Sequence, residues 1–337
     1  MWEKNVMTED NGAALWGEGT AEHGGCAAAL LRERAAAGLK AYKKRELPIS
    51  ANTRPAALIG WPLGHSASAV MHNDAYAEMG LDALYIPVPA EPSRMAGIVG
   101  SMAAMGFMGC NVTIPHKVAV KELMDELHPS ASESGAVNTV LFKEGRKIGY
   151  NTDGTGFVRA LRERGGVDPR GKRCLVVGAG GAARGVASAL AIAGGAKFYI
   201  VNRSLEKAES LAGDMNSRRV GIAEAMALDD ASIERVLADT DIVVQATSLG
   251  MWPAVDGLAF DTSLLSPRHF VCDIVYNPRE TRLLREAAAR GCRTLDGMWM
   301  LVYQGAEAVR IWTGETPPVE VMAAGCEKFL NDLPKHK

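Results

Sequence analysis

Three polar clusters in this chain combine residue types that could do chemistry. Asn111-Val-Thr-Ile-Pro-His-Lys117 ends an apolar run with a lysine, and Pro115 fixes the backbone just before it, aiming a long amine out of a rigid turn. Ala136-Val-Asn138-Thr and Tyr150-Asn-Thr-Asp153-Gly place an amide and a carboxylate at the ends of later runs. A Lys beside an Asp is usually a surface ion pair of little energetic weight. In a partly desolvated cleft the same pair exchanges a proton with a substrate hydroxyl. Spacing alone does not bring Lys117 and Asp153 together. The third cluster, Gly64-His-Ser-Ala-Ser68, follows the first apolar run and presents two hydroxyls at i and i+2. Ser66 and Ser68 suit a carboxylate ligand, and equally suit the capping of a helix N-terminus.

A fourth element is a glycine-rich turn. Cys174-Leu-Val-Val runs directly into Gly178-Ala-Gly-Gly-Ala-Ala183, which fits G-x-G-x-x-G/A. Gly178 permits the tight turn, Gly180 lets the backbone approach a pyrophosphate, and Ala183 lets the helix pack close on the strand. Ala179, Gly181 and Ala182 complete the candidate cradle. A strand before the turn, a helix after it and a second strand beyond are the context such a site needs. At the end of that second strand an NAD site usually places an acid. Asn202-Arg203-Ser204 stands there instead, with Lys207 one helical turn on. A guanidinium holds a 2′-phosphate through bidentate bonds, so NADP is expected, with NAD as the alternative cofactor. The competing reading makes Arg203 an ordinary exposed charge.

These residues need a scaffold. From Arg54 onward short β-rich runs alternate with helical ones: strands at 56–61, 84–88 and 110–114, helices at 68–79 and 93–105, and a further helix after Pro115 reaching Leu127. Strands at 137–142 and 147–150 are close enough to form a hairpin, which predicts one antiparallel edge on a largely parallel sheet. After a helix from Asp153 to about Arg164, a second series places strands at 173–177, 197–201, 241–246, 270–275 and 293–295. Two helical patterns close the chain, at 300–312 and 319–330.

With 337 residues, 47% apolar and 23% charged, the composition is that of an ordinary globular protein large enough for two cores. The formal net charge of −2 gives no electrostatic reason to expect nucleic acid or an anionic membrane as partner. The uncharged stretch from Met95 to His116 reads as helix, turn and strand rather than a membrane span. Six scattered cysteines, with no Cys-x-x-Cys pair, read as buried thiols in a reducing cytoplasm, and no metal site is assigned. The first fifty residues are polar or Ala-rich, contain no apolar signal core and carry acids that transit peptides avoid. A flexible extension dispensable for chemistry is the expectation there.

Taken together, the motifs resemble the shikimate dehydrogenase family. Gly64-His-Ser-x-Ser with Met71-His-Asn73, Gly109-Cys-Asn-Val-Thr-Ile-Pro-His-Lys117, Gly135-Ala-Val-Asn-Thr139, Asn151-Thr-Asp-Gly154 and Gly178-Ala-Gly-Gly-Ala182 follow the family's order and spacing. So do Asn202-Arg203, Ala246-Thr-Ser-x-Gly250, Asp273-x-Val-Tyr276 and Asp296-Gly-x-x-Met-Leu-Val-x-Gln304. The resemblance implies Lys117 as general acid/base with Asp153 as its partner. It implies Ser66 and Ser68, assisted by Tyr276, on a substrate carboxylate, and Thr113, Asn138, Asp153 and Gln304 on ring hydroxyls. It adds cofactor contacts at Thr247, Ser248, Met251 and Gly297. Ala67, Ala69 and Trp299 depart from the family pattern, and the Trp299 indole is expected to narrow the cofactor end of the cleft. The branch that also takes quinate is the near alternative, on Asp153-Gly-Thr-Gly156 and Gln304-Gly-Ala-Glu. A non-catalytic dinucleotide sensor is the remote one.

The expected architecture is α/β in two domains facing one another across a cleft. Residues 1–53 form the extension, 54–152 a mostly parallel substrate-binding and catalytic domain, and 153–297 a Rossmann domain for NADP. Residues 298–337 are helices returning to the substrate domain. The expected partners are a small-molecule substrate and, at most, a second copy of the chain, monomer and homodimer being left open.

Overall fold

The computed structural model describes residues 49–63 and 66–333; the expectations for residues 1–48 of the N-terminal extension and for Gly64 and His65 lie outside the described residues. The chain forms two sheets. In the first, β1 (Arg54–Gly60), β2 (Ala83–Pro89), β3 (Gly109–Val112), β4 (Glu126–Leu127), β5 (Thr139–Lys143) and β6 (Arg146–Tyr150) take the order β2-β1-β3-β5-β6-β4. In the second, β7 (Arg173–Val177), β8 (Lys197–Asn202), β9 (Ala223–Ala227), β10 (Ile242–Gln245), β11 (Phe270–Asp273) and β12 (Arg293–Leu295) take the order β12-β11-β10-β7-β8-β9.

All pairings in the second sheet are parallel. Its strands Cys174–Val177 and Ile242–Gln245 are buried on both faces, which is why they read as continuous apolar runs. The reversal of strand order falls between β7 and β10, where an open α/β sheet leaves a crevice for a ligand.

The first sheet departs from expectation in two respects. The antiparallel strand is interior: β5 pairs antiparallel with both β3 and β6, and the edge beyond them, β4, is parallel to β6. The segment after Pro115 is no α-helix; it makes a short 3-10 turn, Ala119–Leu123, and then turns extended at Met124. Extension lets Glu126 and Leu127 pair with Ile148 and Gly149. Met124 and Leu127 then pack against Gly149, where a Cβ would stand 2.9 and 3.1 Å from their side chains.

The helices are α1 (Ser68–Glu78), α2 (Met95–Ala104), α3 (Pro129–Ser134), α4 (Asp153–Glu163), α5 (Gly181–Ile192), α6 (Leu205–Arg218), α7 (Asp230–Leu237), α8 (Arg282–Ala289), α9 (Met298–Thr313) and α10 (Val319–Asp332). The last two return to the first sheet. Val302, Val309 and Trp312 of α9 and Met322 and Phe329 of α10 share a core with Leu58, Val70 and Tyr76. Helix α4 instead sends Phe157 and Leu161 into the core of the second sheet, together with Met300 and Tyr303 of α9. Helices α4 and α9 thus join the two halves. Two glycines in α4 make this possible: a Cβ on Gly154 would overlap the Gly185 carbonyl of α5, and one on Gly156 would stand 2.7 Å from Gln304 N.

Cys110, Cys174, Cys272, Cys292 and Cys326 are free and buried, and burial pushes the Cys174 and Cys326 thiols up to about 12. No described helix is long and apolar enough to cross a membrane.

Candidate active site

The loop after β3 is tied down before it delivers its lysine. Thr113 N donates to Ile59 O and Trp61 N to Ile114 O. The buried His116 imidazole donates to Ala90 O at 2.7 Å, and Val137 N reaches back to Lys117 O at 2.7 Å. Asp153 is fixed from the other side, as the first residue of α4, with its amide donating to Asn151 Oδ1 at 3.1 Å. The helix N-terminus favours its negative charge. Lys117 Nζ donates to Asp153 Oδ2 at 2.5 Å, with the two side chains 13% and 5% exposed. The pair is therefore desolvated, and the surface ion-pair reading does not hold.

A buried chain of donors ends on the same carboxylate. The Tyr85 hydroxyl donates to Asn111 Oδ1 at 2.8 Å, and Asn111 Nδ2 donates to Thr139 Oγ1 at 2.9 Å. Thr139 Oγ1 donates to Asn138 Oδ1 at 3.1 Å, and Asn138 Nδ2 to Asp153 Oδ1 at 2.8 Å. Thr152 N also donates to Asn138 Oδ1, at 2.7 Å, which fixes which way the amide faces. Gln304 joins through its carbonyl, 3.3 Å from Asn138 Nδ2, while its own amide donates to Leu301 O. Lys117, Asn138, Asp153 and Gln304 are thus gathered by hydrogen bonds from four different segments: the loop after β3, the loop before β5, α4 and α9. Tyr85 and Asn111 are members that the sequence reading left without a role. Asn111 stood inside a quoted motif, whereas nothing local marks Tyr85.

The hydroxyl cluster sits where α1 begins. Ser68 N donates to Ser66 Oγ at 3.2 Å, Ser68 is buried, and the residue at the cap position, Ala67, offers no side-chain bond. Neither serine is a conventional N-cap. Tyr276, from the loop after β11, brings its phenol to Ser66 and the Ala67 backbone, and burial pushes that phenol up to about 12. Thr113 stands at the end of β3 beside Gly60, where any Cβ would overlap its methyl group. The neighbouring Ala69 is buried.

On the other side lies the glycine-rich turn between β7 and α5. Gly178 has φ +119°, a conformation that side chains resist, and a Cβ there would stand 2.9 Å from Ala246 O. Gly180 is the residue before α5, where no side chain caps the helix, and the space beside it is open. Uncapped first-turn amides and an open approach fit a pyrophosphate. Thr247 is adjacent, its amide and hydroxyl both donating to Gln245 Oε1 at 2.7 Å, and Ser248 and Met251 are exposed beyond it.

Asn202 Nδ2 donates to Ser204 O at 2.8 Å at the end of β8. Arg203 and Lys207 are exposed and, among the described residues, make no ion pair, so both charges are available to a phosphate. Gly297 packs on the Ile274 carbonyl, which a Cβ would overlap. The Trp299 indole lies under the Arg164 guanidinium, 3.4 Å from ring centroid to guanidinium carbon, at the far end of α4 from Asp153. It stacks there because an aromatic face attracts a cation.

Comparison with known proteins points to one family. Residues 58–140 match the model of the shikimate dehydrogenase substrate binding domain, residues 161–279 that of shikimate/quinate 5-dehydrogenase, and residues 297–324 that of the shikimate 5′-dehydrogenase C-terminal domain. A shikimate dehydrogenase (NADP(+)) of Methanopyrus kandleri is 48% identical over 276 residues, covering 81% of this chain and 95% of that protein. A crystal structure of shikimate dehydrogenase in complex with NADP+ superimposes with a TM-score of 0.76 at 38% identity, covering 86% of this chain and 98% of that one. Quinate dehydrogenase from Corynebacterium glutamicum in complex with NAD gives a TM-score of 0.74 at 36% identity, covering 83% and 99%. The chain belongs to the shikimate dehydrogenase family.

Proposed function

We propose that this protein is an NADP-dependent shikimate dehydrogenase, reversibly reducing 3-dehydroshikimate to shikimate in the route to chorismate and the aromatic amino acids. The buried Lys117–Asp153 pair, with Asn138 bonded to Asp153 and Gln304 to Asn138, carries the reading. A dinucleotide sensor has no use for a desolvated proton-transfer pair.

Residues 54–152 with the helices of 298–337 act as the substrate half, and residues 153–297 as the cofactor half. The Gly178–Ala182 turn, with Ala179, Gly180 and Gly181, takes the pyrophosphate. Arg203, with Asn202, Ser204 and Lys207, takes the 2′-phosphate. Thr247, Ser248, Met251 and Gly297 flank the nicotinamide end. When bound, NADPH supplies the hydride that reduces the ring carbonyl carbon.

In the reducing direction the Lys117 ammonium gives its proton to the carbonyl oxygen as that oxygen becomes a hydroxyl; in the oxidising direction the neutral amine takes it back. Asp153 holds the ammonium and one ring hydroxyl. Ser66, Ser68 and Tyr276 hold the carboxylate with uncharged donors. Thr113, Asn138 and Gln304 orient the ring hydroxyls, so the reacting carbon is presented in one pose. The protein works in the cytoplasm.

A second reading, a quinate/shikimate dehydrogenase using NAD as well, is favoured by the likeness to the Corynebacterium enzyme. Initial rates on shikimate and on quinate, each with NADP and NAD, separate the two. The primary reading expects shikimate with NADP to dominate by at least tenfold. Comparable rates on quinate would establish the second, and no rate on either acid would overturn both.

A further inference from the structure

The three glycines of the 178–181 turn are small for three different reasons. Gly178 needs its backbone conformation, and Gly180 faces open space. Gly181 faces a side chain from the opposite half: a Cβ on it would stand 2.6 Å from Lys117 Cβ, with Lys117 Cδ and Cγ at 3.2 and 3.4 Å. Lys117 Cβ is fixed by the backbone, so a rotamer change cannot relieve that contact. Gly181 is the first residue of α5 and needs no left-handed backbone, so folding of the turn does not demand a glycine there.

We infer that Gly181 is a positioning residue for Lys117: its bare Cα is the seat on which the lysine stem rests when the two halves close. The seat belongs to the same turn as the cradle for the pyrophosphate, so one segment both faces the cofactor and aims the lysine at Asp153. This rests on the reading of Lys117 as the proton-transfer group. A Cβ at 181 props the lysine loop outward, and the ammonium loses its place while the cofactor's own contacts at Gly180 stay open.

The test compares Gly181→Ala, Gly181→Ser and Gly180→Ala with the parent enzyme. Both Gly181 variants are expected to keep the parent melting temperature, and quenching of NADPH fluorescence sets the cofactor concentration that saturates each. Their kcat at saturating cofactor and substrate should fall by tenfold or more, with a larger solvent deuterium isotope effect as proton transfer becomes limiting. Gly180→Ala, which does not face Lys117, should weaken NADPH binding without enlarging the isotope effect. The inference is overturned if either folded Gly181 variant keeps kcat within twofold of parent, or loses rate only through its cofactor KM with the isotope effect unchanged. Lys117→Ala separates the two failures. Near-parent turnover in that variant sinks the proton-transfer reading itself, whereas an inactive Lys117→Ala beside a normal Gly181→Ala sinks only the positioning role.

Discussion

Asn138 donates to one oxygen of Asp153 at 2.8 Å while Lys117 holds the other at 2.5 Å, so the carboxylate is fixed from both sides by groups of the first sheet. Tyr85, Asn111 and Thr139 pass hydrogen bonds toward the amide in one sense, and with Thr152 N they turn its Nδ2 to the carboxylate. Tyr85→Phe removes the first donor and leaves the buried Asn111 carbonyl without it, which costs about 1–3 kcal/mol. Urea unfolding should show that loss, accompanied by a several-fold fall in kcat. Parent-like stability and turnover would detach Tyr85 from the network.

Helix packing supplies a second expectation. At Gly156 a new methyl group meets the backbone of α9, 2.7 Å from Gln304 N and 2.9 Å from Met300 O. Gly156→Ala should therefore destabilise by about 1–3 kcal/mol, as overpacking does, and raise the KM for shikimate by displacing Gln304. Gly213, in α6, has nothing near its missing side chain, and Gly213→Ala should stabilise by about 0.5–1 kcal/mol. Thermal unfolding of both variants decides the matter, and equal melting temperatures would count against the packing account.

Cofactor choice turns on Arg203. A charge-assisted bond is worth roughly 1.5–3 kcal/mol, so Arg203→Ala should raise the KM for NADP(H) by about ten- to a hundredfold. NAD(H) lacks the phosphate, and its KM should change little. An equal change for both cofactors would remove the phosphate clamp from the account.

Acid stability should reflect two buried groups that oppose each other. Burial lowers His72 to about 4, below the roughly 6.5 of an unfolded histidine, so its contribution is present above 6.5 and lost as pH falls toward 4. Burial raises Asp273 to about 6, against roughly 3.9 unfolded, although Val275 N and the Thr281 hydroxyl donate to it. Its contribution is full below 3.9 and lost as pH rises through 6, the opposite sign. In Asp273→Asn the opposing contribution is gone, and unfolding free energy should fall more steeply from pH 6.5 to 4 than in the parent. Parallel curves would contradict the assignment.

Much of this architecture was legible because its strands are short apolar runs ended by Gly, Pro or Asn, and because the glycine-rich turn lies between a strand and a helix. The unread parts have local sequences that favour something else. Ala223–Ala227 (Ala-Glu-Ala-Met-Ala) contains no β-branched or aromatic residue, yet it forms edge strand β9 because β8 offers it a free side. The run after Lys117 is rich in helix formers, but burying Val120, Met124 and Leu127 against the sheet requires extension after one turn. At the site, the lysine, carboxylate and amide were visible as types in motifs. Their meeting was not, since Lys117, Asn138, Asp153 and Gln304 are joined only by tertiary packing through α4 and α9.

The central claim is that Lys117 transfers the proton, and the most direct measurement is turnover of purified Lys117→Ala with shikimate and NADP. A positioned acid/base contributes about 10²–10⁴-fold, so kcat should fall by that range while NADPH binding and the melting temperature stay near parent values. Turnover within a few-fold of parent, in a variant shown to be folded and to bind cofactor, would contradict the account.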